Sequence, residues 1–445
     1  MITHRIFWSK QKLLRPAQFA LYKQALANEE LSLDEINFIN WNKRKKIIQH
    51  AYSNSTFYKK FYDASGFKPS DLKTFDDWNK VPIVEKKHIR KHCQEMVADG
   101  IPKNRLLKST TGGSTGEPLI VYRDKGFPEE ILKWRMLRQW KLSPGGNIGM
   151  IWRIPDSNKT FKYQILNSLI WWPTKRVKLD ASFITEEKLW TFYLDSKKYS
   201  IEILQGYVGG IEQFVNFTLK NNLKLPSVKL VWGTAAPISD LQKALIGEAF
   251  TSSILDQYAC SEMHFVASNC PYNNNLHVNI DYRHIDIHNP ATLSNIAVND
   301  YGDILLTDLQ NEIFPLIKYR VGDRAKWVSS VCSCGNIFPL ISPVKGRISD
   351  GLIVPGFGIL NGEYLTTVFD PYYISIKQFQ FVQKKDKSIK ILVVPKQSKE
   401  EATSVIEKIV NQLTQLTKGA TIITYELVEN IPDDKGKTRF IIREK

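Results

Sequence analysis

The sequence predicts an α/β protein in two parts: a large N-terminal domain of layered mixed sheets and helices, and a small α+β domain at the C-terminus. Three observations predict it. From Leu106 onward, the short apolar runs LIVY, IGMIW, VKLVWG, SILDQY and GDILLTD alternate with helical segments such as FPEEILKWRMLRQW, the pattern of strands and helices stacked in layers. After the stretch GRISDG the pattern changes, and FQFVQ, IKILVVP and ATIITYELV surround a single helix. Before Leu106 the chain reads mainly as helices. The boundary is expected near Asp350, giving one domain over 1–349, with a helical lead-in over 1–105, and a second over 350–445.

The longest helix of the lead-in is LSLDEINFINWNKRKKIIQHAY, with Ser32 placed to cap it. Trp41, Ile47, Ile48 and Ala51 share one side, so the run KRKK at Lys43 to Lys46 is expected on a solvated face. The C-terminal helix begins with the capping-box pair Ser398 and Glu401, which satisfies backbone donors that a helix start leaves open. Its Ile406, Ile409, Val410, Leu413 and Leu416 fall on one helical face and are expected to pack inward. The chain carries no internal repeat and no low-complexity tract.

Composition bounds the function. With 445 residues the chain exceeds one ordinary core, and 43% apolar and 24% charged residues are globular values that exclude dominant disorder. A net charge of +16 favours acidic partners such as nucleotides, nucleic acid, anionic lipid or a polyanionic sugar. Nucleic acid is disfavoured, because no RNP-like aromatic motif, helix-turn-helix signal or basic stripe accompanies the charge. No apolar run approaches the roughly 18 residues of a membrane span, and the N-terminus lacks the order of a signal peptide. The expectation is a cytoplasmic protein without an integral membrane segment. Five cysteines in such a chain argue against a disulfide framework and leave metal binding or burial.

The stretch TTGGSTGEP, Thr110 to Pro118, packs three glycines and four hydroxyls between apolar, β-leaning flanks. Glycines let successive backbone N–H groups line an anion-binding concavity, and hydroxyls add donors. Phosphate is the natural guest. The loop is expected to join two strands and is not a Walker A motif, because Glu117 and Pro118 follow Gly116 where Lys and a hydroxyl residue are required.

Further motifs follow in order: WGTAAP ending at Pro237, YACSE at Glu262, YRVGD at Asp323, GRISD at Asp350, and KGKTR around Lys437. Together with TTGGSTGEP this set resembles the adenylate-forming superfamily of acyl-CoA synthetases, adenylation domains and luciferases. The resemblance is closest to its phenylacetate-CoA ligase branch, including relatives from capsular polysaccharide biosynthesis, and spans roughly residues 40 to 445.

The resemblance implies the fold of an adenylate-forming domain with a small mobile lid, and an ATP-dependent ligase releasing AMP and pyrophosphate. It implies nucleotide binding by Thr110, Thr111, Gly112, Gly113, Ser114, Thr115, Gly116, Gly233, Tyr258, Ser261, Asp323 and Arg347. Tyr258 would stack on adenine, Ser261 would donate to the α-phosphate, and Asp323 would accept from the ribose hydroxyls. Arg347 offers a planar charged fork to ribose and phosphate oxygens. Glu262 would hold Mg2+, which prefers hard oxygen ligands. Lys437, with Lys435 as a substitute, would neutralise charge as the acyl-adenylate forms. Asp350 aligns with the hinge about which the small domain rotates.

The sequence departs from the pattern at Ala259, where the family usually has Gly and the turn is expected to tighten, and at Ser349, where many members carry Asp. An acyl pocket is expected around Trp152, Arg153, Tyr207 and Ala235, with Arg153 as an anchor for a polar or acidic substrate. The acceptor is an amine, a hydroxyl or the thiol of CoA. Sugar-acid or amino-acid activation for surface polysaccharide is favoured over an aryl- or fatty-acyl-CoA ligase, and a catalytically inactive nucleotide-binding scaffold is the alternative of another class.

A second site is expected from the cysteines. Cys332 and Cys334 form CSCG, while Cys270 and His277 stand in CPYNNNLH. Three thiolates and an imidazole would complete a tetrahedral structural zinc. His264 and Cys260 are rival fourth ligands, His277 alternatively serves the active site, and four reduced, buried residues are the plain alternative.

Overall fold

The computed structural model describes residues 2–111, 119–152, 169–181, 184–234, 238, 240–290, 292, 294, 296–344, 352–356, 358–360, 365, 368–369, 372, 375–431 and 440–444. The chain divides into two compact units. The first holds Met1–Gly146, Trp172–Thr174 and Leu255–Val344; the second holds Asn147–Trp171, Lys175–Ile254 and Lys345–Lys445.

The chain begins with helices α1 (Ile2–Leu14), α2 (Pro16–Ala27), α3 (Leu33–Asn54), α4 (Thr56–Ala64) and α5 (Lys86–Met96). A hairpin of β1 (Leu106–Thr111) and β2 (Leu119–Asp124) precedes α6 (Glu130–Gln139). The second unit then takes β3 (Ile148–Trp152), β4 (Arg176–Asp180), α7 (Glu186–Lys198), β5 (Ile203–Tyr207), α8 (Val208–Lys220), β6 (Leu230–Thr234), α9 (Asp240–Ala249) and most of β7 (Ser253–Leu255). Back in the first unit run β8 (Gln257–Tyr258), β9 (Ala267–Cys270), β10 (Asn273–Val278), β11 (Arg283–His288), β12 (Gly302–Asp308), β13 (Tyr319–Ala325), β14 (Trp327–Val328) and β15 (Leu340–Ile341). The chain ends with β16 (Leu352–Val354), β17 (Gly358–Leu360), β18 (Ile376–Gln383), β19 (Ile389–Pro395), α10 (Lys399–Leu416), β20 (Ile423–Leu427) and β21 (Ile441–Arg443).

In the first unit a five-stranded sheet runs β14-β15-β10-β9-β8 and a three-stranded one β11-β12-β13. Their core takes Ile47, Ile48 and Ala51 from α3 together with Tyr258, Phe314 and Tyr319. In the second unit the order is β4-β3-β5-β6-β7. The β4-β3-β5-β6 pairs are parallel, and β6 is buried along most of its length, as expected of parallel strands covered on both faces. The C-terminal sheet, β20-β19-β18-β21, mixes antiparallel and parallel pairs. The layered α/β reading and the small α+β element after residue 350 are both met, and the quoted apolar runs fall on strands, except that SILDQY is divided between β7 and β8, which lie in different sheets.

Local signals act as expected, with two corrections. Ser32 and Glu35 form a reciprocal capping box on α3, and the Ser398 hydroxyl accepts from Glu401 N–H. Leu416, expected on the packed face of α10, is exposed; Ala402, Val405, Ile406, Ile409 and Leu413 make that face. The KRKK run is not a uniformly solvated face. Arg44 is buried, its guanidinium 4.8 Å from the Trp41 ring and 4.7 Å from that of Trp78, while Lys43 Nζ donates to Asp281 O at 2.7 Å. A weakly hydrated guanidinium between two indoles exchanges water for ring quadrupoles, which sequence charge does not register.

The segment before residue 40, which carries no motif, has a packing role. The Trp8 and Tyr22 rings stack at 5.0 Å and both meet Trp134 of α6 edge-on. Beneath them Arg135 donates to both oxygens of Asp281, at 2.7 and 2.8 Å, and to the Ala25 carbonyl of α2 at 3.1 Å.

Candidate nucleotide site

The glycine-rich segment joins two paired strands: β1 and β2 run antiparallel to the final pair Thr111↔Leu119. Thr110 and Thr111 end β1; Gly112, Gly113, Ser114, Thr115 and Gly116 lie outside the described residues. One residue before Thr110, the Ser109 hydroxyl donates to the Ser261 carbonyl at 2.9 Å. The stem of the candidate phosphate loop is thereby tied to the YACSE turn.

That turn is tight. Cys260 N–H donates to Met263 O at 3.0 Å and Met263 N–H to Cys260 O at 3.2 Å. Ala259 is not among the described non-glycine residues with positive φ, so a methyl at this position costs no backbone strain. Glu262, immediately before Met263, is 1% exposed. Its Oε1 accepts from the Tyr319 hydroxyl at 2.9 Å, and among the described residues its Oε2 has no hydrogen-bond partner. A buried carboxylate oxygen without a donor is costly, and a cation is the partner that removes the cost. The donor set fits Mg2+, a hard ion that takes one or two carboxylates and completes its shell with water and phosphate oxygens.

Tyr258 and Asp323 meet. The phenol, buried in the core of the first unit, donates to Asp323 Oδ2 at 3.0 Å; burial first, then the Asp323 charge, pushes its pKa well up and keeps it a donor. Asp323 sits on a bulge. The register between β12 and β13 jumps from Asp303↔Arg324 to Leu305↔Arg320, and within the extra residues Gly322 takes φ +93°. A left-handed residue in a strand re-aims the next side chain, which is the physical reason for glycine directly before Asp323.

At His264, two residues after Glu262, Glu129 receives Arg123 at 2.6 Å and Arg283 at 3.2 Å, with His264 Nδ1 3.4 Å away. Burial pushes the Glu129 carboxyl up, but His264, Arg283 and Arg123 outweigh it and hold the carboxyl down to about 2. A depressed acid contributes stability that is complete above its unfolded pKa and lost as pH falls through the folded one. Glu129→Gln is expected to lower the melting temperature at pH 7 by an amount that shrinks from about pH 4.5 downward. Melting curves of both proteins between pH 7 and pH 3 check this; a constant gap would refute it.

Trp152, Tyr207 and Gly233 belong to the second unit. The Trp152 and Tyr207 rings lie 4.9 Å apart. A Cβ on Gly233 would stand 2.7 Å from Ile238 Cδ1, so this glycine is required by packing whatever it binds. Arg153, Ala235, Arg347, Asp350, Lys435 and Lys437 lie outside the described residues. Sequence reasoning missed Tyr319 as the anchor of Glu262, although YRVGD begins with it, and Ser109, which precedes the glycine motif.

The cysteine site comes together: ligand atoms of Cys270, His277, Cys332 and Cys334 all lie within 4.8 Å of one another. The rivals are elsewhere, His264 against Arg123 at 2.7 Å and Cys260 against Met263 O at 3.6 Å.

The fold of the chain is that of adenylate-forming ligases. A 2-hydroxyisobutyryl-CoA ligase in its postadenylation state, in complex with 2-HIB-AMP, superposes with a TM-score of 0.77 at 16% identity, covering 94% of this chain and 91% of that one. An anthranilate CoA ligase in complex with anthranoyl-AMP gives 0.54 at 13% identity over 77% and 66%.

By sequence the chain is similar to Protein CapK of Staphylococcus aureus, 24% identical over 89% of this chain and 87% of CapK. It is also similar to the phenylacetate-coenzyme A ligase of Escherichia coli strain K12, 22% identical over 74% and 75%. Residues 352–444 match the CapK C-terminal domain. In fold and in sequence alike the chain is therefore similar to adenylate-forming ligases, with CapK and the phenylacetate-CoA ligases among its sequence relatives.

Proposed function

We propose that the protein activates a carboxylic acid with ATP and passes the acyl group to an acceptor in the assembly of a surface polysaccharide. The observation that carries the activation step is the buried Glu262 carboxylate, with Oε2 unpartnered among the described residues, on a turn tied through Ser109 to the stem of the glycine-rich loop. The direction toward polysaccharide is supported by the similarity to CapK along most of both chains and by the match of residues 352–444.

In this reading a substrate carboxylate oxygen attacks the α-phosphorus of ATP, the bond to the bridging oxygen breaks, and pyrophosphate leaves. Magnesium, when bound, offsets the charge on the departing phosphates. Glu262 holds that ion, the backbone and hydroxyls of the 110–116 loop cradle the phosphates, and Ser261 donates to the α-phosphate. Asp323, kept in place by Tyr258, accepts from the ribose, and Tyr258 borders the adenine. Arg347 pairs with ribose and phosphate oxygens. Lys437 bridges the substrate carboxylate and the α-phosphate from a lid formed by 350–445 and turning about Asp350. Trp152, Arg153, Tyr207 and Ala235 line the acid. In the second step an amine, a hydroxyl or the CoA thiol attacks the acyl carbon and AMP leaves. An ATP-consuming step of this kind belongs in the cytoplasm.

The test is ATP–pyrophosphate exchange without acceptor across sugar acids, amino acids, aryl acids and fatty acids. Exchange with sugar or amino acids is the expected outcome. Exchange with aryl or fatty acids alone replaces the polysaccharide reading by an acyl-CoA ligase, and nucleotide binding without exchange on any acid favours an inactive scaffold.

A further inference from the structure

Cys270 ends β9, His277 lies in β10, and Cys332 and Cys334 lie on the segment between β14 and β15. The Cys270 and Cys332 sulfurs are 3.5 Å apart, and Cys334 Sγ is 3.4 Å from His277 Nε2. With zinc–sulfur bonds of about 2.3 Å and zinc–nitrogen bonds of about 2.0 Å, the edges of a tetrahedral site come to about 3.5–3.8 Å. A disulfide would need about 2.0 Å, and all these cysteines are free thiols.

Two further observations concern the surroundings of the ligand atoms. His277 Nδ1 lies 3.1 Å from the Phe338 carbonyl. A carbonyl only accepts, so Nδ1 carries the hydrogen and Nε2 presents its lone pair toward the sulfurs, the arrangement that orients a metal-bound imidazole. The Cys334 sulfur also receives the backbone N–H of Asn336, two positions on, at 3.4 Å. Such an amide stabilises thiolate charge, and Gly335, at φ +81°, makes the turn that aims it.

We infer that Cys270, His277, Cys332 and Cys334 bind one zinc ion per chain as a closed structural site. Four protein ligands leave no open coordination position, which separates a structural zinc from a catalytic one. Cys270, His277 and Cys332 are buried, in keeping with that role. The ion clamps the β14–β15 connection onto the β9–β10 hairpin. That same sheet ends in β8, which carries Tyr258, and its other edge strand, β14, follows directly on β13, which carries Asp323. The inference goes beyond the proposed reaction and stands or falls without it.

The experiment is elemental analysis of the full chain purified without chelator or added metal, with no activity assay involved. About one equivalent of zinc is expected, lost in Cys332→Ser and Cys334→Ser and retained in Cys93→Ser. Exchange of the native ion for cobalt is expected to give the intense visible bands of a tetrahedral thiolate site. If the ligand variants do not fold, the wild-type zinc content and the cobalt spectrum still decide. Less than about a tenth of an equivalent of zinc, iron in its place, or a Cys270–Cys332 disulfide found by mass spectrometry would overturn the inference.

Discussion

Glu262→Gln is expected to slow acyl-adenylate formation by about 100- to 1000-fold, the scale on which removal of one group stabilising transition-state charge is felt. The substitution is nearly isosteric. The amide oxygen still accepts from the Tyr319 hydroxyl, which holds Oε1 at 2.9 Å, so the fold should survive. What changes is Oε2, the atom with no partner among the described residues: an amide NH2 stands there instead of an anionic oxygen, and a hard cation is repelled rather than held. Pyrophosphate exchange titrated with magnesium chloride reads this directly, the variant requiring more magnesium and reaching a lower plateau. Unchanged exchange at all magnesium concentrations would remove Glu262 from the reading. Lys437→Ala has a different signature, because an ammonium that bridges the substrate carboxylate and the α-phosphate acts in adenylation and not in nucleotide capture. It is expected to abolish exchange while leaving ATP affinity largely intact.

Arg135→Met is expected to destabilise the first unit by about 3–5 kcal/mol, the cost of leaving one partner of a buried ion pair alone. Arg135 is 1% exposed and Asp281 0% exposed. The guanidinium satisfies both carboxylate oxygens of Asp281, Asn279 Oδ1 and the Ala25 carbonyl, and Asn28 Nδ2 donates to Asp281 at 2.9 Å. Without it the buried carboxylate keeps one amide donor and α2 loses its polar anchor. Removing both charges in Arg135→Met/Asp281→Leu is expected to recover part of the loss, since no unpaired charge is left buried although Asn28 Nδ2, Asn279 Oδ1 and the Ala25 carbonyl lose these partners. Chemical denaturation of the two variants beside the wild type checks this, and a shift for Arg135→Met below about 1 kcal/mol would show that the pair is not what holds the helices.

Much of the fold was legible because its signals are local. Ser32 with Glu35 and Ser398 with Glu401 mark helix starts over four residues, and IKILVVP is β19 to the residue. The resemblance to adenylate-forming ligases was legible because glycine loop, YACSE, YRVGD, GRISD and the late lysine follow in order. The errors arose where a side chain's environment comes from distant chain. Arg44 reads as solvated within KRKK, but Trp78 supplies the second indole that covers it. Leu416 reads as packed by its spacing, yet it lies in the last turn of α10 and is exposed.

The sequence alone determined the α/β class, the positions of the strands and helices quoted from it, the set of residues eligible for the site and the cysteines eligible for zinc, because periodicity, capping and motif spacing act within a few residues of each other. Only the tertiary structure decided that Tyr319 anchors Glu262, that Tyr258 holds Asp323 across a bulge at Gly322, that His277 rather than His264 joins the three cysteines, and that α2 is bonded to a buried Arg135–Asp281 pair. Each of these joins residues from different elements, and which of many possible partners a buried polar group meets is set by packing of the whole chain rather than by its neighbours in sequence.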